Sequence, residues 1–215
     1  MIVSPRLSVF SIFYNVSSGG FIMNDKEDAV ATLIDNLNKN DSLRRKHASF
    51  WNFHNKAAKE RGLFAEVYPY FCDVFGEKIE AWGLCEQDPP DIVVSLSNGR
   101  LKGVEITELV NERAIDAQLH NPSRYIEELF RFRYREAVVK LHEILVEKER
   151  KLKAVQDSYD GLSLLIHTDE LLIDSDRFSV EGARVFARGS SVFDGVYLLF
   201  SYEPEKERCP IIRLI

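Results

Sequence analysis

Two carboxylates fourteen positions apart, Asp91 and Glu105, are the residues best placed to do chemistry in this chain. They flank a stretch that reads as a β-hairpin, from Pro89-Pro90-Asp91 to Glu105-Ile106-Thr107. The Pro pair cannot extend a ladder and marks a strand entrance. Residues 92–96 and 101–109 are the predicted strands, with Ser97-Asn98-Gly99 between them. Acidic side chains held side by side on a sheet can bind a hard divalent cation. Such a cation beside a phosphodiester polarises it and supplies a nucleophilic water.

The turn decides whether the two acids meet. A two-residue Asn98-Gly99 turn would pair Asp91 with Ile106 and put the acids on opposite faces. A three-residue loop, with Gly99 left-handed, sets Asp91 opposite Glu105 and aligns Ile92, Val94, Val104 and Ile106 on one apolar face. The second register is the expected one because it makes both faces coherent. Gly103 then shares the face of Asp91, Glu105 and Thr107, where a missing side chain would leave room for a ligand. An arbitrary acidic pair on a hairpin is most often a cap and a solvated ion pair. Glu105 differs because its neighbours Val104 and Ile106 are apolar, and a buried carboxylate is costly unless it is paired or holds metal.

The elements that must position this hairpin follow from periodicity. Residues 25–39 have helical spacing, and Asp41-Ser42 can cap a second helix reaching about Arg61, stopped by Gly62. Residues 66–70 and 79–85 read as strand-like. Asn121-Pro122-Ser123 is the expected start of one long helix to about Gln156, with an apolar stripe of Ile126, Phe130, Ala137, Leu141, Ile144, Leu145 and Leu152. Residues 162–167, 196–202 and 211–215 are further predicted strands. The expected fold class is α/β (α+β): a mixed central β-sheet flanked by helices, as a single domain over 23–215. Residues 1–22 are expected to be a non-native or disordered N-terminal extension. Gly19-Gly20-Phe21-Ile22-Met23 is what a ribosome-binding site and spacer would encode in frame, and the natural start is then Met23.

Composition sets bounds. The 215 residues carry a formal charge of −6, so bulk charge does not advertise nucleic acid, although a local basic face can still bind it. Cys72, Cys85 and Cys209 show no disulfide or zinc spacing, which points to a reducing, cytoplasmic setting. No apolar run is long enough for a bilayer. The chain also lacks a Gly-x-Ser-x-Gly elbow, a phosphate-binding glycine loop and paired metal-ligating histidines.

On Pro90-Asp91 and Glu105-Ile106-Thr107, placed on adjacent strands ahead of a long helix, the chain resembles the PD-(D/E)XK nuclease superfamily. The phrase Gly103-Val104-Glu105-Ile106-Thr107-Glu108-Leu109 is similar to a subgroup of bacterial and mobile-element proteins with that restriction endonuclease-like fold. The resemblance implies Mg2+ (or Mn2+) held by Asp91, Glu105 and the carbonyl of Ile106, with an acid from the preceding helical region completing the site. Glu66 ranks first for that role, then Glu60, with Glu80 weaker. The family's lysine is Thr107 here, which can donate a hydrogen bond but carries no charge. Lys140 is a candidate replacement from the long helix, Lys102 points to the wrong face, and Gln118 is a candidate polar partner.

The implied activity is metal-dependent hydrolysis of phosphodiester bonds, with DNA as partner, RNA as an open alternative, and a homodimer compatible with symmetric duplex cutting. A role in phage defence or a mobile element fits the family. Arg124, Arg131, Arg133 and Arg135, interleaved with Phe130, Phe132 and Tyr134, form the candidate nucleic-acid face. The competing view of that segment is a solvated helix with Glu127–Arg131 and Glu136–Lys140 pairs. The competing view of the whole is a catalytically inactive module of the same fold, binding nucleic acid or protein, with Thr107 marking the lost chemistry.

Overall fold

The computed structural model describes residues 55–215 except 171, 187, 188 and 204. The expected helices at 25–39 and from 41 up to residue 54, the proposed extension at 1–22, and the basic run Arg44-Arg45-Lys46 lie outside the described residues.

The described chain forms one mixed six-stranded sheet with strands in sequence order. Helix α1 (Lys56–Phe75) precedes β1 (Ile79–Leu84), β2 (Ile92–Leu96) and β3 (Leu101–Glu108). Then come α2 (Glu112–His120), α3 (Tyr125–Arg131), α4 (Tyr134–Leu152) and β4 (Leu162–Thr168). Helix α5 (Ser175–Val185), β5 (Gly195–Phe200) and β6 (Ile211–Arg213) close it. The first three strands form an antiparallel meander, β3, β4 and β5 run parallel, and β6 returns antiparallel. Each parallel step needs a crossover, supplied by α2–α4 and by α5. The α/β class and the sheet flanked by helices are as expected.

The two faces of the sheet carry separate cores. Phe64, Val67 and Phe71 of α1 pack with Ile92, Val94, Val104 and Ile106 on one. Ala137, Leu141 and Leu145 of α4, with Phe178 of α5, pack with Leu164, Ile166 and Leu198 on the other. Period-2 alternation along β3 therefore sends even residues toward α1 and odd residues toward α4.

Three expectations fail here. Gly62 does not stop a helix, and residues 66–70 are not a strand: both lie inside α1, which runs through Pro69 to a left-handed cap at Gly76 (φ 63°). A helical Gly and Pro together cost about 4 kcal/mol. Burial of Phe64, Val67 and Phe71, at 0, 3 and 0% exposure, returns roughly 1.5–3 kcal/mol each, which outweighs that cost. The stripe Phe64, Val67, Phe71 has helical spacing, but the aromatic and β-branched residues read locally as strand.

The expected long helix is broken at Phe132–Arg133 into α3 and α4. The two pieces serve different cores: Tyr125, Ile126 and Leu129 pack on Ala114 and Ala117 of α2, whereas α4 packs on the sheet. Phe130, counted in the apolar stripe, is 41% exposed. Helix α5 had no sequence forecast.

Candidate metal centre

The site begins with the hairpin register. Ile92 pairs with Val104 and Val93 with Gly103. The loop closes through Leu96 N–H to Arg100 O and Gly99 N–H to Leu96 O, each 2.9 Å, with Gly99 at φ 81°. This is the expected three-residue loop, and it carries Asp91 to the position facing Glu105 at the end of the ladder. In that register Pro90 falls opposite Ile106 and can give β3 no N–H. The Asp91 carboxylate occupies this edge instead, its Oδ2 accepting from Ile106 N–H at 2.8 Å.

Asp91 and Glu105 are 6% and 1% exposed. Asp88, from the loop ahead of the Pro pair, joins them: one oxygen from each of Asp88, Asp91 and Glu105 lies within 4.8 Å of the others. Asp91 and Glu105 line a cavity of about 250 Å3 together with Ile106, Thr107 and Glu108, and Lys56, Lys148 and Lys151 stand at its sides; Asp88 lies outside that lining.

The lysines are placed with purpose. Lys148 Nζ is 2.6 Å from Glu105 Oε1, Lys56 Nζ is 3.2 Å from Asp91 Oδ1, and Lys151 Nζ is 3.4 Å from Asp88 Oδ1. Burial and then the Asp91 charge push the Glu105 carboxyl above its usual range, with Lys148 pulling the other way. Glu60, one turn into α1, is 3.1 Å from Lys56 and is pushed up to about 7, first by burial and then by Asp91. Glu105 Oε2 is buried with no hydrogen-bond partner. An orphaned carboxylate oxygen at such a depth costs free energy unless something binds it. Hard oxygen donors around it suit a hard divalent cation.

The sequence forecasts fare unevenly against this geometry. Asp91, Glu105, Ile106 and Thr107 all line the cavity. Among the upstream acids, Glu66 is exposed and lies beside Cys209, and Glu80 is exposed on β1. Glu60, ranked below Glu66, is the one near Asp91, because α1 continues past Gly62 and presents its first turns to the hairpin.

Lys140 does not reach inward; it pairs with Glu112 at 2.8 Å and Glu143 at 3.6 Å. Gln118 sits near the far end of α2, outside the cavity lining. Gly103 leaves no room for a ligand, since a Cβ there would meet Leu162 Cδ2 at 2.6 Å and Pro90 Cγ at 2.8 Å. Its missing side chain admits the Pro90 ring instead.

Lys148 and Asp88 were missed. Lys148 had a signal: it lies at helical spacing between Ile144 and Leu152, both buried, so a lysine interrupts the apolar stripe of α4. Asp88 had none, since only the folded loop brings it beside Glu105.

The candidate basic face is partly committed. Arg124 and Arg131 each donate to Glu128 at 2.9 Å, and Arg131 also pairs with Glu127. The Arg133 side chain donates to Phe130 O at 3.1 Å, while its backbone N–H starts α4 by donating to Glu136. Arg135 is exposed.

No protein-family model matches the chain, and no curated protein or solved structure does so either. Among the described residues no helix is long and apolar enough to cross a membrane.

Proposed function

We propose that this protein is a metal-dependent nuclease built on a restriction endonuclease-like core of the PD-(D/E)XK type, hydrolysing phosphodiester bonds of DNA. The carrying observation is the buried Glu105 carboxylate, one oxygen orphaned, beside Asp91 in a cavity flanked by three lysines, with an oxygen of the exposed Asp88 within 4.8 Å of both. Asp88, Asp91 and Glu105 would hold Mg2+ or Mn2+, with Ile106 in the same wall. The cation supplies Lewis-acid activation of the phosphodiester and a nucleophilic water.

The chain's own residues do the rest. Asp91 is oriented by the Ile106 N–H, so its outer oxygen faces the cavity rather than rotating freely. Lys148 supplies the positive charge that Thr107 lacks, arriving from α4 instead of β3. Lys56 and Lys151 flank the entrance at 60% and 41% side-chain exposure, free enough to turn toward a phosphate. Thr107 offers a hydroxyl to water or phosphate.

A second reading rests on the same lysines. Each of the central carboxylates already has an ammonium within about 3.2 Å, which would satisfy an inactive module without any metal. The test is cleavage of plasmid and single-stranded DNA with Mg2+ or Mn2+ against chelator, comparing wild type with Glu105→Gln, alongside direct Mn2+ titration. Metal-dependent cutting lost in the variant supports the nuclease. Absence of both cutting and metal binding in the wild type supports the inactive module.

A further inference from the structure

The carboxylate cavity, at about 250 Å3, is smaller than the roughly 300–1,000 Å3 of sites that enclose organic ligands. It can take an ion and a phosphate group but not a nucleotide. A second cavity of about 590 Å3 adjoins it, and Val110 and Glu112 line both. This larger space lies between α2, α3 and the first turns of α4.

In its lining Glu112 and Glu143 are paired with Lys140, and Glu136 accepts from the Arg133 N–H; three further features bear on a ligand. Arg113 and Arg135 are exposed and make no ion pair among the described residues. Phe132 and Val139 offer apolar surface, Phe132 half-buried and so held in place by the core. Glu128 is 6% exposed, its Oε1 taken by Arg124 and Arg131 and its Oε2 buried without a partner.

We infer that this second cavity binds one unpaired nucleotide of the strand whose phosphate enters the carboxylate site, so that the substrate is single-stranded or has a single-stranded segment there. The inference rests on the nuclease reading of the neighbouring site. Uncommitted guanidinium groups suit phosphates, and an aromatic–aliphatic surface suits a base face. A base can enter such a cavity only once it has left the stack, which a continuous duplex resists. The orphaned Glu128 oxygen accepts a hydrogen bond from an exocyclic amine, which cytosine has and thymine lacks.

The experiment is fluorescence anisotropy of the full chain with short labelled oligonucleotides in chelator, where nothing is cut. Oligo-dC is expected to bind at least about tenfold tighter than a duplex of the same length and severalfold tighter than oligo-dT. Arg113→Ala/Arg135→Ala is expected to weaken oligo-dC binding by about tenfold and to reduce the salt slope by about 1.4, as two lost single-strand phosphate contacts require. Arg100→Ala, at the hairpin turn, is expected to stay within about twofold. Oligo-rC bound as well as oligo-dC supports the cavity and extends it to RNA. A duplex bound as tightly as the single strand, or a double variant indistinguishable from wild type, overturns the inference. Metal-dependent cutting without chelator-resistant single-strand binding also overturns it while leaving the nuclease standing; binding without cutting does the reverse.

Discussion

Glu105 and Glu108 lie on the same strand, three residues apart, with side chains under a tenth exposed, and both line the smaller cavity, yet their partners differ. Glu108 faces the α1 side, where Lys59 Nζ lies 2.7 Å from its Oε1 and both side chains are under a tenth exposed. Glu105 faces the α4 side, where Lys148 satisfies one oxygen and the other has none, and where Asp91 adds like charge. Burial of charge is therefore not what marks the candidate centre. The mark is a buried charge that the fold leaves partly unsatisfied, beside more charge of the same sign.

The contrast can be broken by substitution. Glu105→Gln removes a carboxylate from the proposed ion and is expected to lower metal-dependent cleavage by at least about a thousandfold, some 4 kcal/mol of barrier. Its unfolding midpoint in chelator is expected to hold or rise, because buried repulsion with Asp91 is relieved; a fall like that of a broken ion pair would reclassify Glu105 as structural. Glu108→Gln is expected to do the opposite. It removes the carboxylate 2.7 Å from the buried Lys59 ammonium and costs about 3 kcal/mol in chemical denaturation, with metal affinity in the folded protein unchanged.

Lys148→Met sharpens the same comparison. Cleavage is expected to fall about a hundredfold, within the usual range for a positioned charge or proton-transfer group, while Mn2+ affinity rises as a competing cation is removed. Weaker Mn2+ binding in this variant would contradict that placement. The smallest expected effect is on pH. Glu60 is pushed up to about 7 in the fold against an ordinary 4.5, so the folded state favours its protonated form. That stabilisation is full below about pH 4.5 and is lost as pH rises toward 7. Glu60→Gln should therefore gain stability relative to wild type across this window, read as urea midpoints from pH 4.5 to 8; parallel profiles would show that burial and Asp91 do not raise the Glu60 carboxyl.

Asp91 and Glu105 could be found in the sequence because strand pairing is a short-range rule: one loop length, set by Ser97-Asn98-Gly99, fixes the register and hence the shared face. The same alternation placed Ile92, Val94, Val104 and Ile106 in one core. Lys148 was within reach as the lysine that interrupts an apolar helical stripe, but its partner 43 positions away was not. Glu60 over Glu66, and the failure of Lys140 to enter the site, depended on where the helices begin and break. Those boundaries came from burial against the sheet overriding Gly62 and Pro69 in α1, and from two separate cores dividing α3 from α4.

Sequence by itself determined the strand order of the hairpin, the facing of its two acids and the alternation of the sheet, because these depend on neighbours in the chain. The third acid, the cations around the site and the adjoining cavity were decided only by the tertiary structure. They come from loops and helices far apart in the chain, and long-range packing, not local propensity, sets where those segments meet.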